Sequence, residues 1–161
     1  ERLRTVHAAF RARRKAAEAY LHKQPDLSPA QRKEMLEATM CVLEDREFAA
    51  VFAPGGRAEA PVIGKIGDNT INGRVDRLVV TDAEILIVDY KTNHAPPATE
   101  AEAPSGYVRQ LALYRAVLQK LYPQRPVRAA LLWTEAPELM EISTPALDAQ
   151  LASIVQRDDR A

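Results

Sequence analysis

The sequence predicts an α/β fold in which a mixed β-sheet is flanked by helices and preceded by a helical N-terminal segment. Two runs rich in β-branched residues, 75–80 and 85–90, flank a short polar break and so predict a β-hairpin. An amphipathic helix pattern at 107–121 is followed by an apolar strand pattern at 127–134, as in a crossover connection within a sheet. The patterns before residue 57 are helical.

The N-terminal helical segment is expected to begin with two long helices and a short helical turn. Their predicted bounds are 1–24, 29–43 and 45–52. Ser28, Pro29 and Gln31 form a capping box with proline at the first helical position, so the second helix begins there. Cys41 lies in an apolar part of that helix and is predicted to be a core residue.

The remaining elements follow from alternation and turn signals. Strands are predicted at 59–66, 70–80 and 85–91, then a patternless loop at 92–105, the 107–121 helix, a strand at 127–134, an edge strand at 139–142 and a helix at 147–155. The third strand is apolar on both faces, which indicates a central strand covered on both sides. We expect residues 1–56 to be the helical segment and 57–161 the α/β core of one domain.

The hairpin brings two carboxylates together. If its turn is centred between Asp82 and Ala83, Asp76 lies directly opposite Asp89, with Cβ atoms roughly 4.5–5.5 Å apart. Like charges at that distance destabilise a sheet, so a proton, basic neighbours or a divalent cation must offset them. Lys91 lies on the same face as Asp89, because side chains alternate along a strand.

Two carboxylates with a nearby ammonium suit Mg²⁺ or Mn²⁺ and a phosphate substrate. Lys91 would orient or deprotonate the attacking water. The alternative is that the Asp pair is simply solvated, with Arg74, Arg77 and Lys91 as counter-charges. Asp-x-Lys is too short a motif to decide between the two.

The predicted 107–121 helix carries a second polar pair. Gln110 and Tyr114 are four residues apart and therefore adjacent on one face. The ordinary interpretation makes Tyr114 a half-buried core residue and Gln110 a rim residue.

Taken together, these residues resemble the RecB-type branch of the PD-(D/E)XK nucleases, and within it the nuclease domains of AddA-type helicase-nuclease subunits. The resemblance runs from about the second helix to the strand that contains Trp133. The matching residues, in order, are Glu59, Gly73, Asp76, Arg77, Asp89, Tyr90, Lys91, Gln110 and Tyr114.

The resemblance implies a restriction-endonuclease-like sheet and Mg²⁺-dependent hydrolysis of DNA phosphodiesters. It implies that Asp76, Asp89 and the Tyr90 backbone carbonyl are metal ligands and that Lys91 positions the water. Gln110 and Tyr114 would form the supporting motif, and Glu59 would match an acidic position before the first hairpin. The implied partners are DNA, the helicase portion of the same polypeptide and an AddB-type second subunit.

One expected ligand is missing from the sequence. Relatives of this type supply a metal-binding His from an early helix in a Gly-x-x-x-His context, and no Gly precedes His7. We expect that ligand to lie upstream of Glu1, in a larger protein of which this chain is a fragment. His94 follows Lys91 closely but offers no better match.

Composition narrows the class of protein. A chain of 161 residues with 47% hydrophobic content can form one compact domain, and no apolar run approaches a bilayer span, so a cytoplasmic location and no membrane partner are expected. A single cysteine excludes a four-Cys iron-sulfur cluster. Net charge is zero, but residues 1–34 contain nine Lys or Arg against four acids. Because the net charge of the whole chain is zero, we expect the isolated chain to bind DNA weakly, with partner surfaces delivering the DNA.

Three interpretations remain open. The first is a metal-dependent DNA nuclease domain, exonuclease-type, in a helicase-nuclease that processes double-strand ends for recombinational repair. The second is a catalytically silent DNA-end-binding or scaffold module of the same kind of complex. The third is a small α/β domain whose motif is accidental.

Overall fold

The structure, a computed structural model of the chain, describes residues 2–45, 48–53, 55–92, 95–134 and 136–158. The chain divides into two compact units, residues 1–49 and residues 50–161. The expected boundary between residues 56 and 57, and the grouping of both parts into one domain, stay predictions.

The first unit contains the two predicted long helices, α1 at Arg2–His22 and α2 at Pro29–Glu44. The predicted capping box is confirmed, because the Ser28 side chain accepts from the Gln31 N–H and the Gln31 side chain accepts from the Ser28 N–H. The short turn predicted at 45–52 appears as turns at 48–52.

The prediction that Cys41 is a core residue was wrong, because Cys41 is exposed. Leu36 and Met40, four residues apart, are the α2 side chains buried against Leu21 of α1. Cys41 comes one residue after Met40, about 100° further round the helix, and so points away from that contact.

The second unit is a five-stranded sheet with helices. Its elements in chain order are β1 Arg57–Ile66, β2 Asn69–Val80, β3 Ile85–Lys91, a 3₁₀ turn Glu100–Glu102, α3 Ser105–Leu121, β4 Val127–Trp133, β5 Glu138–Ile142 and α4 Thr144–Asp158. The strands lie in sequence order; β3 and β4 are parallel, and all other neighbours are antiparallel. The predicted mixed α/β fold is confirmed.

The hairpin register is also as predicted. Arg77 pairs with Val88 and Val80 with Ile85, which centres the turn between Asp82 and Ala83. The register therefore directs Asp76 toward Asp89 at the point where regular pairing ends.

The core lies between the sheet and α3. Fully buried side chains on β3, α3 and β4 form its centre, and they include Ile87, Leu111, Leu131 and Trp133. Residues 85–89 are buried without interruption, which confirms β3 as the central, doubly covered strand.

The β1–β2 pair has one irregularity close to Asp76. Glu59 has φ of 51°, a left-handed conformation that is unfavourable for a residue with a Cβ. It lies between the pairs Ala58–Arg77 and Ala60–Val75, which places it opposite Asp76. The sheet is therefore distorted beside the carboxylate pair.

The segment predicted as a patternless loop contains one short helical element. Residues 100–102 form the 3₁₀ turn, and the Glu100 carboxylate accepts hydrogen bonds from the Ser143 N–H at 2.7 Å and from the Ser143 hydroxyl at 2.8 Å. This attaches the approach to α3 to the start of α4.

Candidate active site

Asp89 and Lys91 form a buried ion pair at the end of β3. Asp89 is 4% exposed, and the Lys91 side chain, which is 12% exposed, contacts its Oδ2 through Nζ. Both residues project on the face covered by α3, as the alternation predicts. Of the three ways to offset the Asp76–Asp89 repulsion, the structure contains a basic neighbour, and that neighbour is Lys91.

Asp76 is held by a backbone hydrogen bond. The Tyr90 N–H donates to Asp76 Oδ2 at 2.6 Å, at the point where the paired residues of β2 and β3 run out. The carboxylate thus occupies the position that a strand carbonyl would otherwise fill. This bond fixes Asp76 beside the residue whose carbonyl is the third implied ligand.

Burial dominates the electrostatics of Asp89. Loss of hydration raises the pKa of the Asp89 carboxyl above its ordinary value, the Lys91 ammonium opposes that rise, and the Asp76 carboxylate adds to it. Burial also raises the pKa of the Tyr90 phenol. The two aspartates therefore lie near enough to repel one another. A cation between them would offset both this repulsion and the cost of burying the Asp89 charge.

The donor set fits a hard divalent cation. Asp89 Oδ2 is buried, and apart from its ion pair with Lys91 it has no hydrogen-bond partner among the described residues. Carboxylate oxygens are the ligands that Mg²⁺ and Mn²⁺ prefer. In the described ranges, His, Cys, Asp and Glu side chains do not gather in groups of three or more suited to a metal ion. Two carboxylates and a carbonyl would leave positions open for water and phosphate.

Helix α3 brings three polar or aromatic residues to this side of the sheet. Tyr107 lies with its ring centroid 3.8 Å from Lys91 Nζ. Gln110 Nε2 donates to the Tyr114 hydroxyl at 3.3 Å. The Tyr114 ring packs against Gly73 of β2, where a Cβ would overlap it. The Gln110–Tyr114 pair thus supports the sheet three residues before Asp76.

Tyr107 was not singled out by sequence reasoning, although a signal for it exists. It lies three residues before Gln110 and seven before Tyr114, and these spacings put all three on one stripe of a helix. In the sequence it counts as one member of the apolar face. Its contact with Lys91 requires knowing how α3 crosses β3.

The structure does not bring the Glu59 side chain to the carboxylate pair by any described contact. Its Oε2 is 3.6 Å from Arg74 Nη1, and both side chains are more than 60% exposed. Its assignment as a possible ligand stays a prediction. His94 lies outside the described residues, as does the side chain of His7.

Trp133 is a packing residue. It is fully buried and pairs in register with Lys91 across the parallel strands. Thr134, which follows it, donates its N–H to the Lys91 carbonyl at 3.0 Å. These contacts fix the backbone that carries Lys91.

A groove of about 360 Å³ lies between β2 and the first half of α3, beside the Gln110–Tyr114 pair. Its polar lining residues are Thr70, Asn72, Arg109 and Gln110. Arg109 is exposed and offers a positive charge one residue from the Gln110–Tyr114 pair.

Comparison with known proteins decides the family. The sequence matches the PD-(D/E)XK nuclease superfamily over residues 1–159. The chain belongs to this superfamily. Members of this superfamily are nucleases that generally use Mg²⁺ or a similar divalent metal. As nuclease domains they bind DNA.

Other comparisons add no finer assignment. No curated protein matches the chain. A solved structure described as that of SSO0001 is 15% identical with a TM-score of 0.38, over 89% of this chain and 67% of that one. No described helix of this PD-(D/E)XK chain combines the length and apolar character needed to cross a bilayer.

Proposed function

We propose that the chain is a Mg²⁺-dependent deoxyribonuclease domain with its active site at Asp76, Asp89 and Lys91. The observation that carries the proposal is the buried Asp89 carboxylate, which faces Asp76 across the hairpin and contacts Lys91. A buried charge is unfavourable for folding unless it is paired, and two carboxylates together are more so. Such an arrangement is expected where chemistry requires it.

Asp76, Asp89 and the Tyr90 carbonyl would hold the metal ion. Mg²⁺, or Mn²⁺ in its place, would supply Lewis-acid stabilisation of the charge that develops on the phosphate. The Tyr90 N–H keeps Asp76 in place, so this ligand need not reorganise. The burial of Asp89 keeps bulk water away and strengthens every charge interaction there.

Lys91 has the chain's direct role in the hydrolysis. Its ammonium, held next to Asp89, positions the attacking water and offsets negative charge on the phosphate oxygens. Gln110 and Tyr114 act as the supporting motif by fixing α3 against Gly73. The groove containing Arg109 extends from this region and has the charge to take a DNA phosphate.

The motif order is what supports a proposal for the cellular role. We propose an exonuclease-type domain of an AddA-type helicase-nuclease that processes double-strand DNA ends for recombinational repair in the cytoplasm. Its partners would be the helicase portion of the same polypeptide and an AddB-type subunit. Co-purification of the full-length polypeptide with an AddB-type subunit tests this role, and separate elution of the two would contradict it.

The deciding experiment is cleavage of end-labelled single-stranded and duplex DNA with Mg²⁺ or Mn²⁺, with and without EDTA. The parent chain is compared with Asp89→Ala and with Asp82→Ala, which removes an exposed aspartate from the turn of the same hairpin. We expect metal-dependent cleavage that Asp89→Ala abolishes and Asp82→Ala retains. A covalently closed single-stranded circle should resist if the activity is exonucleolytic.

A catalytically silent DNA-end-binding module is the second candidate. The lack of a Gly-x-x-x-His ligand in the sequence favours it, because the metal site would then be incomplete. It predicts salt-sensitive binding to DNA ends without cleavage in any metal, and Mn²⁺ binding that Asp76→Ala and Asp89→Ala leave unchanged. Loss of Mn²⁺ binding in both variants, with retention in Gln110→Ala, would support the nuclease instead.

A further inference from the structure

Lys91 is held from two sides by groups on different elements. Asp89 contacts its ammonium from the same strand, and the Tyr107 ring lies 3.8 Å from Nζ on α3. The Lys91 side chain is 12% exposed, so water provides little of its surroundings. An ammonium over the face of an aromatic ring is attracted by the ring quadrupole, and more strongly when water is excluded.

These two contacts respond differently to a metal ion. The Asp89 carboxylate would engage the ion, so less of its charge would remain for Lys91. An aromatic ring is not a ligand for a hard cation such as Mg²⁺, which prefers oxygen. The Tyr107 contact would therefore persist when the Asp89 contact weakens.

Tyr107 is itself on a firmly packed support. It stands in the first turn of α3, and its N–H donates to the Pro104 carbonyl at 2.9 Å. The next turns are fixed by the buried Val108 and Leu111.

We propose that Tyr107 is a positioning residue whose ring holds the Lys91 ammonium at the site when Asp89 engages the metal ion. The inference rests on the proposed nuclease function. It assigns the task to the ring and not to the phenol hydroxyl, because the centroid is what lies against Nζ. Tyr107→Phe should therefore keep the positioning of Lys91, and Tyr107→Leu should lose it.

The first test is spectroscopic and needs no activity. A methylene group next to an aromatic face shows an upfield ring-current shift, so the Lys91 Hε resonances of the parent should lie upfield of those of exposed lysines. We expect Tyr107→Phe to keep this shift and Tyr107→Leu to lose it, with and without Mg²⁺. Tyr122→Leu is the control, because that ring lies near Arg125 just beyond the other end of α3.

The second test separates positioning from structure by kinetics. With the parent cleaving DNA, Tyr107→Leu should lower kcat roughly tenfold or more with little change in KM or in Mn²⁺ affinity. Tyr107→Phe should recover most of that loss. In a Lys91→Ala background, Tyr107→Leu should not reduce the residual cleavage further, because the group that it positions is gone.

Three results would overturn the inference. The first is an unchanged Lys91 Hε shift in Tyr107→Leu, and the second is an unchanged kcat in that variant. The third is a loss of kcat on Tyr107→Leu that is as large in the Lys91→Ala background as in the parent. If the parent itself shows no metal-dependent cleavage, the proposed function fails and the inference fails with it. Cleavage by the parent with normal kcat in Tyr107→Leu refutes only the inference.

Discussion

Replacing Gly73 with alanine should destabilise the second unit by forcing Tyr114 out of its place. The new Cβ would overlap the Tyr114 hydroxyl and would lie 2.7 Å from Cε1 and 2.8 Å from Cζ. Ordinary carbon contacts begin more than half an ångström further away. A tyrosine ring is rigid, and this one is only 8% exposed, so the strain passes into β2 and α3.

The expected cost is that of overpacking a core, about 1–3 kcal/mol. For a chain of this length each kcal/mol lowers Tm by about 2–4 °C. The Gln110–Tyr114 hydrogen bond would be disturbed in the same step, so any DNA cleavage should fall as well.

Urea unfolding followed by tryptophan fluorescence is the suitable assay. Trp133 is the single tryptophan and is fully buried in the same unit, so its emission reports on that unit. Gly106→Ala is the matched control, because a Cβ there meets no atom within 4 Å and the position is helical. Its midpoint should equal or exceed that of the parent.

The reasoning is refuted if Gly73→Ala and Gly106→Ala unfold at the same urea concentration. A double-mutant cycle adds a sharper test. In a Tyr114→Leu background the cost of Gly73→Ala should shrink, and a cost that stays the same would locate the clash elsewhere.

Two further changes test the framework of the sheet. Arg115→Leu removes the guanidinium that donates to the Val127 carbonyl at 3.1 Å and to Asp148 at 2.6 Å. The urea midpoint should therefore fall by an amount equivalent to about 1–3 kcal/mol. An unchanged midpoint would contradict this. The Arg128 guanidinium holds the pKa of Glu141 below its ordinary value of 4.5. The stability that this ion pair contributes is therefore fully present above pH 4.5, and it is lost as the pH falls through the lowered pKa. Glu141→Gln should therefore be less stable than the parent near pH 7, by under about 1 kcal/mol for this half-exposed pair, and equal to it in acid. A stability difference that does not change between pH 7 and pH 3 would rule out the pair as its cause.

Much of the fold was predictable because local signals agreed with one another. The polar break at 81–84 and the flanking apolar runs fix the hairpin register, and the register in turn directs Asp76 toward Asp89. The capping box at Ser28 and the uninterrupted burial of β3 are likewise readable from short stretches.

What could not be predicted depends on contacts between distant elements. The position of Tyr107 over Lys91 is set by the angle at which α3 crosses β3, which no spacing in the sequence encodes. Glu59 is not glycine, so nothing in its identity indicates a left-handed conformation. The exposure of Cys41 depends on which stripe of α2 meets α1.

The hydrogen bond from the Tyr90 N–H to Asp76 gives the two aspartates different prospects over evolutionary time. Loss of Asp76 would open the end of the hairpin as well as remove a metal ligand, so it damages fold and activity together. Asp89 and Lys91 form a buried ion pair, and such pairs can often be exchanged for apolar residues at little cost to stability. A lineage that abandoned catalysis but kept the fold would therefore lose little stability by replacing Asp89 and Lys91 together, and more by replacing Asp76. This chain contains all three.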